Sequence, residues 1–200
     1  MNFLAHIYLS KNSNDITIGN FIADYVKGSE FNKYPKGIKN GILLHRKIDY
    51  FTDNHTIVKE DKKLFAGRYH KYAGVITDIL YDHFLAVNWN HFSEFDFDMY
   101  IANVYDLLEQ NIKIVPDPMQ QIIPRFIKNN WLKAYQTPEG IKSVFIGMSK
   151  STSLPDETDY AMHIFNNHYN ELKHHFHQFF PSLVDYIDSE TLKLEEENLR

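Results

Sequence analysis

The chain has 200 residues, of which 44% are hydrophobic and 15% aromatic, so it can bury a substantial core as one domain. It has no cysteine, which excludes disulfides, thiolate metal sites and cysteine nucleophiles, and its formal net charge of −5 argues against general nucleic-acid binding. Residues 1–10 do not resemble a signal peptide, and no segment approaches the ~20 apolar residues of a membrane span, so we expect a cytoplasmic protein.

Helical periodicity runs through almost the whole chain, because apolar residues recur every three or four positions and strand-type alternation is nearly absent. We predict an all-α fold with a single domain over residues 1–200. Residues 1–90 would carry the functional site, and the helices within residues 96–196 would complete the core. Helices are predicted over residues 15–27 (with Gly28 as C-cap), 35–53, 57–65, 69–89, 96–116, 119–130, 138–148 and 156–180, and a last one after Pro181.

Two of these helices carry polar pairs with the spacing of metal ligands. His45 and Asp49 are four residues apart, as are Asp78 and Asp82, so each pair projects from one helical face. Carboxylates flanked by Ile, Leu, Tyr and Phe are costly to bury without a compensating positive charge. Two facing helices of this kind could hold a divalent cation through nitrogen and oxygen ligands, and Mn²⁺ or Mg²⁺ fits such a set. Separate surface salt bridges are the alternative.

Two further polar residues interrupt apolar segments. Asp24 stands within residues 21–26, and because a buried Asp without a partner is rare, we add it to the candidate metal ligands. His6 stands within residues 3–8. A buried histidine is common, so we interpret His6 as a core residue that is hydrogen-bonded to a carbonyl.

The net negative charge is unevenly distributed. Between Lys27 and Lys47 there are six basic residues and one acidic residue. This segment could receive an acidic partner, or it could be an ordinary solvated face. The candidate partner-binding residues, hereafter the basic strip, are Lys27, Lys33, Lys36, Lys39 and Lys47.

Four blocks of the sequence resemble the acyl carrier protein phosphodiesterase family in order and approximate spacing. The blocks are MNFLAHIYLS (residues 1–10), GNFIADYVKG (19–28), GILLHRKIDYFTDNH (41–55) and YDHFL (81–85). The resemblance runs from residue 1 to about residue 89 and continues more weakly through residues 176–183. It implies an HD-phosphohydrolase-like helical fold and a manganese-dependent hydrolase, with Mg²⁺ or Fe²⁺ as alternatives. The implied reaction releases 4′-phosphopantetheine from holo acyl carrier protein and leaves the apo protein.

The resemblance and the spacing together give each candidate residue a role. The predicted metal ligands are Asp24, His45, Asp49, Asp78 and Asp82. The leaving serine oxygen needs a proton, which His55 or His83 could donate, and the planar guanidinium of Arg46 could bind the phosphate. Two other functions stay open: an HD-type hydrolase acting on another small phosphodiester or nucleotide, and a non-catalytic helical interaction domain.

Overall fold

The structure is a computed structural model, and it describes residues 1–11 and 13–198. In these ranges the chain forms twelve α-helices, three short 3₁₀ segments and no β-strand, so the predicted all-α class is confirmed. The 3₁₀ segments are Ala23–Tyr25, Glu30–Lys33 and His70–Tyr72. The α-helices are α1 (Phe3–Tyr8), α2 (Asn14–Ile22), α3 (Lys36–Asn54), α4 (Thr56–Tyr69), α5 (Ala73–Val87), α6 (Trp89–Phe92), α7 (Phe97–Gln110), α8 (Asp117–Lys128), α9 (Trp131–Ala134), α10 (Pro138–Ser151), α11 (Thr158–Asn167) and α12 (Tyr169–Asn198).

Helix α5 forms the centre of the core. Ile79, Leu80 and Tyr81 project from three sides of it and are all fully buried, and α1, α4, α10 and α12 pack against it. A helix that is buried on every side must lie inside the protein, and its polar residues there need partners. The buried apolar side chains form one continuous cluster, as expected for a single domain. The extent of that domain over residues 1–200 stays a prediction, because residues 12, 199 and 200 lie outside the described ranges.

Helices α2 and α3 approach each other until their backbones touch, at two glycines. A Cβ atom on Gly19 would lie 2.0 Å from the carbonyl oxygen of Ile38, and one on Gly41 would lie 2.2 Å from that of Ile16. No side chain fits in this space. The close approach carries Asn20 of α2 to within hydrogen-bonding distance of His45 on α3.

We expect Gly19→Ala to destabilise the protein. In an ordinary helix interior this change is stabilising by up to ~1 kcal/mol, but here the methyl group must push α3 away, at a cost of about 1–3 kcal/mol. Chemical denaturation measures the difference. Gly67→Ala in α4 is the matched control, because its added Cβ would have only an ordinary contact with the Tyr160 hydroxyl, at 3.5 Å. Equal stability changes in the two variants would contradict the proposed close packing.

Several predicted helix boundaries differ from those observed. Helix α2 ends at Ile22, whereas the prediction extends to residue 27 with Gly28 as its cap. The chain instead tightens into the 3₁₀ segment Ala23–Tyr25 and becomes extended at Val26, while Gly28 adopts a φ of +53° in the following turn. This early end matters for the site, because it places Asp24 beside His45.

Pro181 lies inside α12, whereas the sequence predicted a new helix after it. A proline inside a helix removes one backbone hydrogen bond and usually kinks or breaks the helix. Here Phe179, Phe180 and Leu183 are fully buried around the proline, and their packing holds the helix together. Neither α12 nor any other described helix is both long and apolar enough to cross a membrane.

Candidate metal centre and active-site cleft

The site is built around Asp49, whose carboxylate lies between two histidine side chains. His45 precedes Asp49 by one turn of α3, and its Nε2 atom is 3.1 Å from Oδ2 of Asp49. His6 comes from α1, and its Nε2 atom is 3.1 Å from Oδ1 of the same carboxylate. The two imidazole rings stack with their centroids 4.0 Å apart. One ligand atom from each of the three residues lies within 4.8 Å of the others, so they form a candidate metal site.

Asn20 orients both imidazoles. Its side-chain oxygen accepts a hydrogen bond from Nδ1 of His6 at 2.8 Å, and its backbone carbonyl accepts one from Nδ1 of His45 at 2.9 Å. The Asn20 side-chain nitrogen donates to the His6 carbonyl oxygen, which fixes the orientation of the amide. With both Nδ1 atoms used as donors, both Nε2 atoms face Asp49. Metal-binding histidines are commonly held in this way by a hydrogen bond at the other ring nitrogen.

The charges and hydrogen bonds of the cluster favour the protonated form of His45 and the neutral form of His6. Burial alone would lower the pKa of His45, but hydrogen bonds with Asp24 and Asp49 outweigh it and raise the pKa to about 9. Burial and the nearby charge of His45 lower the pKa of His6 to about 4. Burial would raise the pKa of Asp49, but its interactions with His45 and His6 outweigh burial and hold this pKa well below its ordinary value. A single positive charge is therefore stable where these groups meet.

Asp24 and Asp78 lie beside the cluster formed by His6, His45 and Asp49. Oδ1 of Asp24 is 3.3 Å from Nε2 of His45, and the Asp24 side chain is 70% exposed. Asp78, on α5, has its Oδ1 atom 3.1 Å from the amino nitrogen of Met1, which is itself 4.0 Å from Asp49. The structure thus brings together four of the five predicted ligands: Asp24, His45, Asp49 and Asp78.

Asp82 has different neighbours from the other four. Its carboxylate accepts hydrogen bonds from the backbone N–H groups of Leu4 at 2.7 Å, Ala5 at 3.2 Å and Asn2 at 3.3 Å. These groups form the N-terminus of α1, which needs acceptors for its free N–H groups. Burial raises the pKa of Asp82 to about 7 despite these donors. Asp82 therefore fixes the helix that carries His6.

A cleft opens beside the cluster, and none of the three residues predicted to act on the phosphate is among the described residues that line it. His83 is buried and donates from Nδ1 to the carbonyl oxygen of Tyr135 at 2.7 Å. His55 follows α3 and packs against Phe179. The guanidinium of Arg46 donates to the carbonyl oxygens of residues 26 and 28, where it supports the turn after α2.

The basic strip is partly engaged in local contacts. Lys33 is 3.5 Å from Glu30, Lys39 donates to Asn32 at 2.8 Å, and Lys47 pairs with Glu190 at 2.6 Å. Lys27 and Lys36 are exposed and have no ionic partner among the described residues. They are the members of the strip most available to a partner.

A cleft of about 500 Å³ opens beside the cluster. His45 and the carboxylates of Asp24, Asp49 and Asp78 contribute to its lining. Helix α4 and the 3₁₀ segment after it add basic side chains that the sequence analysis did not assign to the site: Lys59, Lys62, Lys63, His70 and Lys71. Lys62 pairs with Asp53 at 2.6 Å, whereas the other three lysines have no carboxylate partner in the described part of the chain. The cleft combines candidate cation ligands with lysines that have no carboxylate partner, and this combination suits a phosphate ester.

His6 and Asn20 belong to the cluster but were not predicted from the sequence as members of the site. His6 is buried, and its Nε2 atom lies 3.0 Å from the Met1 carbonyl oxygen, as the interpretation as a core histidine predicts. That interpretation is incomplete, because the same atom also faces Asp49. The available signal was membership of the family-like blocks, since His6 lies in residues 1–10 and Asn20 in residues 19–28.

An all-helical domain with a His/Asp cluster beside a cleft that several lysines line has the features of a phosphohydrolase with a candidate divalent-metal site. Comparison with known proteins identifies the family within this class. The family model described as acyl carrier protein phosphodiesterase matches residues 1–183. The chain therefore belongs to the acyl carrier protein phosphodiesterase family.

Curated relatives support the same assignment. The acyl carrier protein phosphodiesterase of Klebsiella pneumoniae is 32% identical over 200 residues, which cover 96% of this chain and all of that protein. The protein of the same name from a strain of Escherichia coli is 32% identical over 199 residues, with the same coverage. The one from Photorhabdus laumondii is 28% identical over 186 residues, or 92% of this chain and 94% of the relative. No solved structure matches the chain significantly. The resemblance to the HD-phosphohydrolase fold stays a prediction.

Proposed function

We propose that this protein is a metal-dependent phosphodiesterase that hydrolyses holo acyl carrier protein to the apo protein and 4′-phosphopantetheine. Family membership supports the substrate, because the relatives are named for this activity. The observation that carries the metal dependence is the convergence of two imidazole Nε2 atoms and the Asp49 carboxylate. The cytoplasmic location stays a prediction of the sequence.

The residues present fit a divalent cation. With bonds of about 2.0–2.2 Å, ligand atoms on one ion are separated by up to about 4.4 Å, close to the 4.8 Å limit within which the three groups lie. Once His45 loses its proton, the converging nitrogen and oxygen atoms are all acceptors, and a divalent cation would satisfy them together. We propose Mn²⁺, because paired imidazoles with carboxylates suit Mn²⁺ or Fe²⁺ better than Mg²⁺, which prefers oxygen ligands.

In this proposal His6, His45 and Asp49 hold the cation, with Asp24 and Asp78 as further ligands. When bound, such a cation would supply Lewis-acid polarisation of the phosphoryl group and would make a water molecule more acidic. Asn20 keeps both Nε2 atoms turned toward Asp49, where the cation would bind, and Asp82 holds α1 so that His6 stays in place. The free lysines of the cleft attract the anionic ester.

The direct test is to incubate the purified protein with holo carrier protein and Mn²⁺ and to weigh the products by mass spectrometry. We expect the carrier to lose the mass of its prosthetic group, and a chelator to stop the reaction. Equal activity on a chromogenic phosphodiester would favour the alternative of a small-substrate HD-type hydrolase. Protein purified without chelator that contains no metal, and shows no thermal shift when metal is added, would favour the non-catalytic alternative.

We also propose that the basic strip receives the acidic surface of the carrier protein. Charge reversal of its two free members, Lys27→Glu with Lys36→Glu, should lower kcat/KM for holo carrier several-fold and weaken its salt dependence, because such charges mainly set the association rate. Hydrolysis of a small phosphodiester should be unchanged. The control is Lys113→Glu with Lys150→Glu, which changes the net charge equally at two exposed positions. Loss with both substrates, or equal loss in the control, would contradict docking at the strip.

A further inference from the structure

His70 has a backbone conformation that is unfavourable for a residue with a side chain. It follows α4 with φ +48° and ψ −120°, which is the region that glycine occupies in a type II′ turn. Asn130 also has a positive φ, but its ψ of 52° places it in the ordinary left-handed region, which asparagine tolerates. A histidine is thus held where glycine would be less strained, and such strain is most often found at functional sites.

The neighbouring residues explain how the strain is maintained. Tyr69, immediately before His70, is fully buried, and Ala73, three residues later, is buried at the start of α5. The chain is therefore anchored on both sides of the turn. His70 itself is exposed, lines the cleft together with His45 and Asp49, and makes no side-chain hydrogen bond within the described part of the chain.

The proposed reaction needs a proton donor in this cleft. When the bond between phosphorus and the serine oxygen breaks, the leaving alkoxide must gain a proton. Of the histidines that line the cleft in the described ranges, His45 is engaged by Asp24 and Asp49, whereas the His70 imidazole is free. Imidazole is also the side chain that exchanges protons most readily near neutral pH.

We propose that His70 is the general acid of the reaction, and this proposal rests on the function proposed above. A protonated imidazole gives its proton to the serine oxygen as the P–O bond breaks. The water oxygen forms the new bond to phosphorus, and the proton that this water loses restores the imidazolium. The strained turn serves to direct the imidazole into the cleft.

The test uses two substrates that differ in their leaving group. A p-nitrophenolate ion leaves without needing a proton, whereas a serine alkoxide does not. We expect His70→Gly and His70→Asn to reduce kcat on holo carrier protein by about 10²–10⁴-fold. On bis(p-nitrophenyl) phosphate the same variants should keep their activity within about threefold, which a merely structural role for His70 would not produce.

Stability provides a second readout that does not depend on activity. Because glycine relieves the unfavourable φ, His70→Gly should raise Tm by roughly 2–6 °C. His174→Gln, a change at an exposed histidine of α12, is the control and should alter neither measurement. Equal loss on both substrates, no loss on either, or a lowered Tm would overturn this role while leaving the proposed function intact. A wild-type protein that hydrolyses neither substrate would overturn the proposed function itself.

Discussion

Asp49→Ala is expected to abolish hydrolysis while leaving the helical fold intact. Among the described residues, Asp49 is the one carboxylate that contacts both imidazole Nε2 atoms, so its loss would remove the ligand that unites the proposed metal site. Lewis-acid stabilisation of a phosphoryl transition state is worth several kcal/mol, which corresponds to a rate loss of about 10³-fold or more. The side chain is 40% exposed at the cleft, so its removal leaves no large cavity.

The measurement combines the mass-spectrometric assay with circular dichroism and calorimetric titration of Mn²⁺. Asp53→Ala is the matched control, because Asp53 lies one turn further along α3 and pairs with Lys62 at the edge of the cleft. It should retain metal binding and most of the activity. Near wild-type turnover in Asp49→Ala would exclude Asp49 as a required ligand.

Asp82→Ala should instead destabilise the fold, by about 2–4 kcal/mol. The change removes the acceptor of three backbone N–H groups at the start of α1, two of which, those of Leu4 and Ala5, are buried. Loss of a helix cap costs about 0.5–2 kcal/mol, and a buried donor without a partner costs about 1–3 kcal/mol. Because α1 carries His6, Mn²⁺ affinity should also fall.

Chemical denaturation of the metal-free protein separates these roles. Asp78→Ala is the comparison, since Asp78 lies on the same helix one turn earlier and lines the cleft without bonding to the N–H groups of α1. We expect it to weaken metal binding with a smaller loss of stability than Asp82→Ala. If Asp82→Ala were as stable as the wild type, Asp82 could not be the cap of α1 and would return to the metal-ligand set.

The site depends on packing between helices that are far apart in sequence. The glycine contact between α2 and α3 brings Asn20 against His45, and the contact between α1 and α5 lets Asp82 hold the helix of His6. Substitutions at these positions therefore affect the cluster without touching the substrate. Asn20→Ala, for example, removes the acceptor of the His6 Nδ1 hydrogen bond without substituting any of the proposed metal ligands.

Local periodicity was sufficient to predict the all-helical class and the pairing of His45 with Asp49. Both are properties of a single helix, in which residues four apart share a face whatever surrounds them. The same rule placed Asp78 and Asp82 on one face of α5. It could not tell which neighbour each of them meets, because that depends on where α1 packs.

Only the tertiary structure decided which residues His6 and Asp82 contact and which side chains line the cleft. His6 is distant in sequence from His45, and only the packing of α1, α2 and α3 stacks their rings. The predicted roles of His83 and Arg46 depended on side-chain direction, which is set by burial among other helices. The strained turn at His70 has no local sequence signal, since glycine and not histidine is the residue expected at a φ of +48° and a ψ of −120°. Local patterns determine which residues share one helix face, whereas the contacts between helices determine which faces meet.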